Sequence, residues 1–104
     1  MSDQVAKLSA TEEQRQQRLG EMNAEHGPDW SEGYRPGTFG CHELLDRTST
    51  AGDIVENLVL SHPSCALNRE WYALAEQAVA ALRELYQRVG AEHLDAESKD
   101  SGKP

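Results

Sequence analysis

The sequence predicts an all-α protein, an antiparallel helical hairpin with a weaker N-terminal helix and an aromatic Gly/Pro loop, completing a helical bundle by dimerisation. Three observations carry that prediction. Apolar residues recur at helical spacing, without interruption, only between Phe39 and Val89. Pro63 divides that stretch in two, because the residue before a proline avoids helical geometry. The two resulting stripes are too broad for one helix to cover the other, so a second copy or the N-terminal region must complete the core.

Taken in order, residues 1–8 offer Val5 and Leu8 and little else, and a flexible N-terminus is expected. Ser9 with Glu12 has the spacing of a capping box, and a weak helix is expected over residues 9–25, where Leu19 and Met22 are its main apolar residues. Residues 27–39 read as turn chemistry, Gly-Pro-Asp-Trp-Ser-Glu-Gly-Tyr-Arg-Pro-Gly-Thr-Phe, and hold Trp30, Tyr34 and Phe39, half of the protein's aromatics. Such a loop either folds over the bundle as a lid or forms a partner-binding surface through Trp30, Tyr34 and Arg35.

The first hairpin helix is expected over about 40–61. Cys41, Leu45, Thr48, Gly52, Val55 and Val59 form its stripe, and Leu44, Ala51 and Leu58 widen it. The second is expected over about 68–89, opened by Asn68 as N-cap and closed by Gly90 as a left-handed C-cap. Trp71, Ala75, Ala78, Leu82, Leu85 and Val89 give it a heptad-like seam, which Leu74, Ala81 and Tyr86 broaden. Beyond it, residues 91–104 form an acidic, polar tail expected to be flexible, so one helical domain spans 9–90.

Composition bounds the function. Eighteen acidic against ten basic residues leave a net charge of −8, and all three lysines, Lys7, Lys99 and Lys103, lie in the two ends of the chain. Such a surface repels phosphate, so direct nucleic-acid binding is not expected. No apolar run is long enough for a membrane span and Met-Ser-Asp-Gln does not start a signal peptide, so a cytoplasmic protein is the default expectation. Cys41 and Cys65 are expected as reduced thiols, since a continuous helix places the ends of that segment about 30 Å apart.

Chemistry-bearing residues are sparse. His42-Glu-Leu-Leu-Asp46 matches a zinc-protease pattern only in its first four positions. The open end of the hairpin returns His93 to the level of His42 and Asp46, and these three, with Glu43 or His26 in reach, would offer nitrogen and oxygen donors to a divalent transition metal. Ser49, Thr48 and Thr50 have no His-Asp pair nearby in sequence, and no phosphate-binding glycine loop exists. The reading is therefore a noncatalytic protein-interaction or adaptor module without a cofactor, acting as a homodimer. The alternative is a metal-binding helical protein, conceivably an enzyme, with its site at His42, Asp46 and His93.

Overall fold

The computed structural model describes residues 2–101, with side-chain surroundings for residues 6–96. Met1 and the end of the expected tail, residues 102–104, lie outside the described residues. Among the described residues the protein is mostly helical and has no strand, and no helix is long and apolar enough to cross a membrane. The chain forms two compact units, Met1–Glu32 and Gly33–Pro104.

In the first unit, helix α1 spans Ser2–His26. It starts earlier than the expected capping box at Ser9, because Ala6, Lys7, Leu8 and Ala10 are good helix formers and carry the helix through that serine. Within it, Glu12 accepts from Arg15 and Gln16, so the polar side of the helix is tied along its own length. Gly27, with φ +84°, ends α1 in the left-handed region where glycine carries no Cβ penalty. A 3₁₀ turn at Trp30–Gly33 follows.

In the second unit, α2 (Phe39–Ile54) continues through one π-helical segment, Val55–Leu60. Ser61 closes that segment with its N–H on the Glu56 carbonyl at 3.0 Å, and its hydroxyl donates to the same oxygen at 2.8 Å. A short helix α3 (Pro63–Ala66) makes the turn, with His62 accepting from the Ser64 N–H through Nδ1 at 3.0 Å. Helix α4 spans Arg69–Ser101. Asn68 caps it, its Oδ1 accepting from the N–H groups of Glu70 and Trp71 at 3.0 and 3.1 Å.

Helices α2 and α4 pack on each other, and the π segment and α3 also lie on α4. Leu45 sits against Gly90 and the Arg83 guanidinium sits over Gly52, so the two helices run in opposite directions. Gly90 is therefore a correction to the expected C-cap. It is buried in mid-helix beside Leu45, and its φ is not positive. Helix α4 passes through it, so residues 91–101, expected as a flexible tail, continue the helix.

Burial follows the α2 stripe as far as Val55, with Cys41, Thr48 and Gly52 buried and Leu45 and Val55 half-buried, whereas Val59, the last residue of the expected stripe, is 48% exposed in the π segment. The Thr48 hydroxyl is satisfied by donating to the Leu44 carbonyl at 2.7 Å. On α4 the inward residues are Ala75, Val79, Leu82, Val89, Gly90 and His93, a face that takes Ala75, Leu82 and Val89 from the expected seam and leaves Trp71, Ala78 and Leu85 outside it. Leu74 is 64% exposed, Trp71 59% and Leu85 43%. On α2 and the π segment, Leu44 and Leu58 are 48% and 67% exposed.

These exposed residues share one side of the hairpin. At 100° per residue, Leu44, Ala51 and Leu58 flank the α2 contact stripe in the direction opposite to chain progression. Leu74, Ala78 and Leu85 flank the α4 contact face in the same sense, and two antiparallel helices with such flanks present them on the same side. The other side is marked by Arg83, whose Nη2 donates to Asp53 at 2.7 Å and Glu56 at 2.9 Å. One side of the hairpin thus gathers the exposed leucines of both helices, and the other is bridged by Arg83.

Candidate functional site

Two places in the hairpin unit carry more than packing: its open end and its apolar side. The open end begins with the loop after Gly33. Pro36 and Gly37 make a turn in which Gly37 takes φ +90°, a conformation that strains any residue with a Cβ. Thr38 caps α2, accepting from the Cys41 N–H at 3.4 Å, while its hydroxyl lies 2.6 Å from the Arg35 carbonyl and 2.9 Å from that of Gly33. Having one proton, it donates to one of them at a time.

A long-range hydrogen bond ties the loop to α4. The Gly37 N–H donates to Nδ1 of His93 at 2.9 Å, across 56 positions of sequence. His93 is the most buried large side chain, 2% exposed. Because Nδ1 accepts, the neutral ring carries its proton on Nε2. The His42 ring lies with its centroid 5.7 Å from that of His93, tilted by 40°. Gly40 completes the corner, since the Gly33 carbonyl and the Tyr34 ring occupy the space that a Cβ there would need.

Of the sequence-derived metal trio, the fold brings His42 and His93 together, with Asp46 one turn along α2 from His42 and exposed like it. The bond from Gly37 uses the Nδ1 lone pair of His93, so ligation through Nε2 would require a ring with no proton on either nitrogen. Histidines that hold metals instead donate their second N–H. Among the described residues, no group of three or more His, Cys, Asp or Glu side chains is arranged to hold a metal ion. Cys41 and Cys65 are both buried free thiols.

The aromatic-loop trio is divided between the units. Trp30 belongs to the first, half-buried, its Nε1 donating to Asn23 Oδ1 at 2.6 Å. Tyr34 and Arg35 belong to the second and are exposed, Tyr34 with its ring edge against Gly40. Gly37 and Thr38, the two residues that shape the loop, are not marked by apolar spacing. The signals that identify them are Pro-Gly as a turn dipeptide and a threonine directly before a helix.

The apolar side is the larger feature. Leu44, Leu58, Trp71, Leu74 and Leu85 stand half to two-thirds exposed on it. At about 200 Å² per large side chain, they present roughly 500 Å² of apolar surface. The alanines between them extend it. That is the size of the largest apolar patch on a typical monomer, about 300–600 Å², and such patches often serve as contact sites. A shallow groove runs along its α4 edge, lined by Ala81, Glu84, Leu85 and Arg88. No protein-family model, curated protein or solved structure matches the chain.

Proposed function

We propose that this chain is a noncatalytic protein-interaction module whose working surface is the apolar side of the α2–α4 hairpin. The observation that carries the reading is the exposure of Leu58, Trp71 and Leu74 on the same side as Leu44 and Leu85. Burying such a face is worth roughly 25 cal/mol per Å², enough to drive helix-on-helix association once ordering costs are met. Tyr34 and Arg35 add an exposed aromatic and a cation at the open end, residue types common in protein contacts.

A second reading, transition-metal binding, is favoured by the approach of the His42 and His93 rings. It requires the Gly37 loop to release His93, with Asp46 as the nearest carboxylate along the same helix face.

One experiment addresses both: native mass spectrometry of protein purified without chelator, compared with a Leu58→Glu, Leu74→Glu variant. The interaction reading expects a metal-free protein whose variant keeps native helicity, because the replaced side chains are exposed and not part of the monomer's core. A variant that unfolds would mean the face is internal packing and would end the interaction reading. Stoichiometric metal lost on His42→Ala substitution would establish the second reading instead.

A further inference from the structure

We infer that the partner for the apolar side is a second copy of this chain, held by antiparallel pairing of α4 with α4 about a point between Ala78 and Ala81. The inference rests on the interaction reading above and names its partner. Three observations carry it.

The first is the spacing on the exposed edge of α4. Trp71, Leu74, Ala78, Ala81, Leu85 and Arg88 follow one another at intervals of three, four, three, four and three. That series is the same read from either end. A two-fold axis between Ala78 and Ala81 therefore sets Leu74 opposite Leu85 of the partner subunit, and the small alanines opposite each other where the helices approach most closely. A symmetric dimer needs such a self-complementary patch.

The second is charge. The same axis places Arg88 beside Glu70 and Trp71 of the partner subunit, a carboxylate and an aromatic face both suited to a guanidinium. The pair occurs twice, once at each end. Arg88 already reaches Glu84 at 2.8 Å on its own helix, and its side chain is otherwise exposed, so it can serve both. The net charge of −8 opposes association, but no carboxylate lies among the central residues from Leu74 to Ala81 on this edge except off its apolar side.

The third is shape and area. The groove of Ala81, Glu84, Leu85 and Arg88 lies where Trp71 and Leu74 of the partner subunit would sit. The exposed large side chains supply roughly 500 Å², and the alanines and rim stems bring the face toward the ~800 Å² per partner of a stable interface. Two hairpins stacked this way form a four-helix bundle.

The test uses the full chain in three forms: native, Leu74→Cys alone, and the Leu74→Cys, Leu85→Cys double variant. Within one helix these positions lie about 16 Å apart, too far for an intrachain disulfide. The expected result is a native mass of about 23 kDa, twice the 11.5 kDa chain, and a covalent dimer on mild oxidation from the double variant alone. Because Cys41 and Cys65 are buried, they give little background. An Ala78→Arg variant is expected to be monomeric with unchanged helicity.

A dimer in which the double variant does not cross-link, or does so no better than Leu74→Cys alone, overturns the pairing. A native monomer at tens of micromolar overturns it as well, and acrylamide quenching of Trp71 in a Trp30→Phe background then separates two cases. Free quenching leaves the apolar side open to a different protein and the interaction reading intact. Full shielding in a monomer ends both.

Discussion

Removing the His93 imidazole is a sharp perturbation of the hairpin's open end, because the Gly37–His93 bond ties the loop to α4 across 56 positions of sequence. His93→Ala takes away the acceptor of the Gly37 N–H and leaves a hole where a 2%-exposed ring sat. A donor left without its acceptor costs about 1–3 kcal/mol, the lower end applying where water can enter. Gly37 is half-buried, so about 1–2 kcal/mol is expected for this term, with ~2 kcal/mol more for lost packing. His93→Asn separates the two, since its Oδ1 can stand where Nδ1 stood while the ring volume is lost. The assay is amide hydrogen exchange at Gly37, read by NMR under conditions where both variants remain helical. Exchange is expected to quicken roughly 5- to 30-fold or more in the alanine variant and to recover by several-fold with asparagine. Equal Gly37 exchange in the native and alanine proteins would refute the role given to this bond. So would asparagine and alanine variants that behave alike, because packing alone would then explain the loss.

Gly40→Ala is expected to destabilise the hairpin by about 1–2 kcal/mol in urea unfolding, because the Gly33 carbonyl and Tyr34 must move by more than the improved helix propensity returns. A more stable alanine variant would show that the corner is loosely held. In α1, hydrogen bonds from Arg15 and then Gln16 hold the Glu12 carboxyl down from 4.5 to about 2. A carboxyl depressed on folding stabilises the helix above its unfolded value, and that contribution fades as pH falls from about 5 through about 2. NMR titration of the Glu12 side chain should therefore show a midpoint well below 4.5, and an Arg15→Ala variant should raise it toward that value. A native midpoint near 4.5 would contradict the Glu12–Arg15–Gln16 cluster.

Much of the hairpin was legible because α2 carries an uninterrupted stripe. Cys41, Leu45, Thr48, Gly52 and Val55 step by four and three, and the same residues face α4. The approach of His42 and His93 was legible too, since an antiparallel return fixes which ends meet. What spacing could not disclose was the loop's fastening. Gly37 and His93 are joined through a backbone N–H, which every residue but proline has, so no side-chain pattern marks it. Gly90 shows a different failure. A glycine near the end of an apolar run has the composition of a C-cap whether it stops the helix or lies within it, and only its backbone angle and the continuing helix decide between them.

The seam on α4 is where sequence and structure together say more than either alone. Trp71, Ala75, Ala78, Leu82, Leu85 and Val89 read as one stripe, yet they alternate between two faces. Ala75, Leu82 and Val89 turn toward α2, whereas Trp71, Ala78 and Leu85 stand on the open side. A helix with a single neighbour has no use for the second set, which costs solubility and invites aggregation. A helix between two neighbours needs both, one face for each. A seam of this width is what the proposed α4–α4 pairing would need, one face for α2 and one for the second copy.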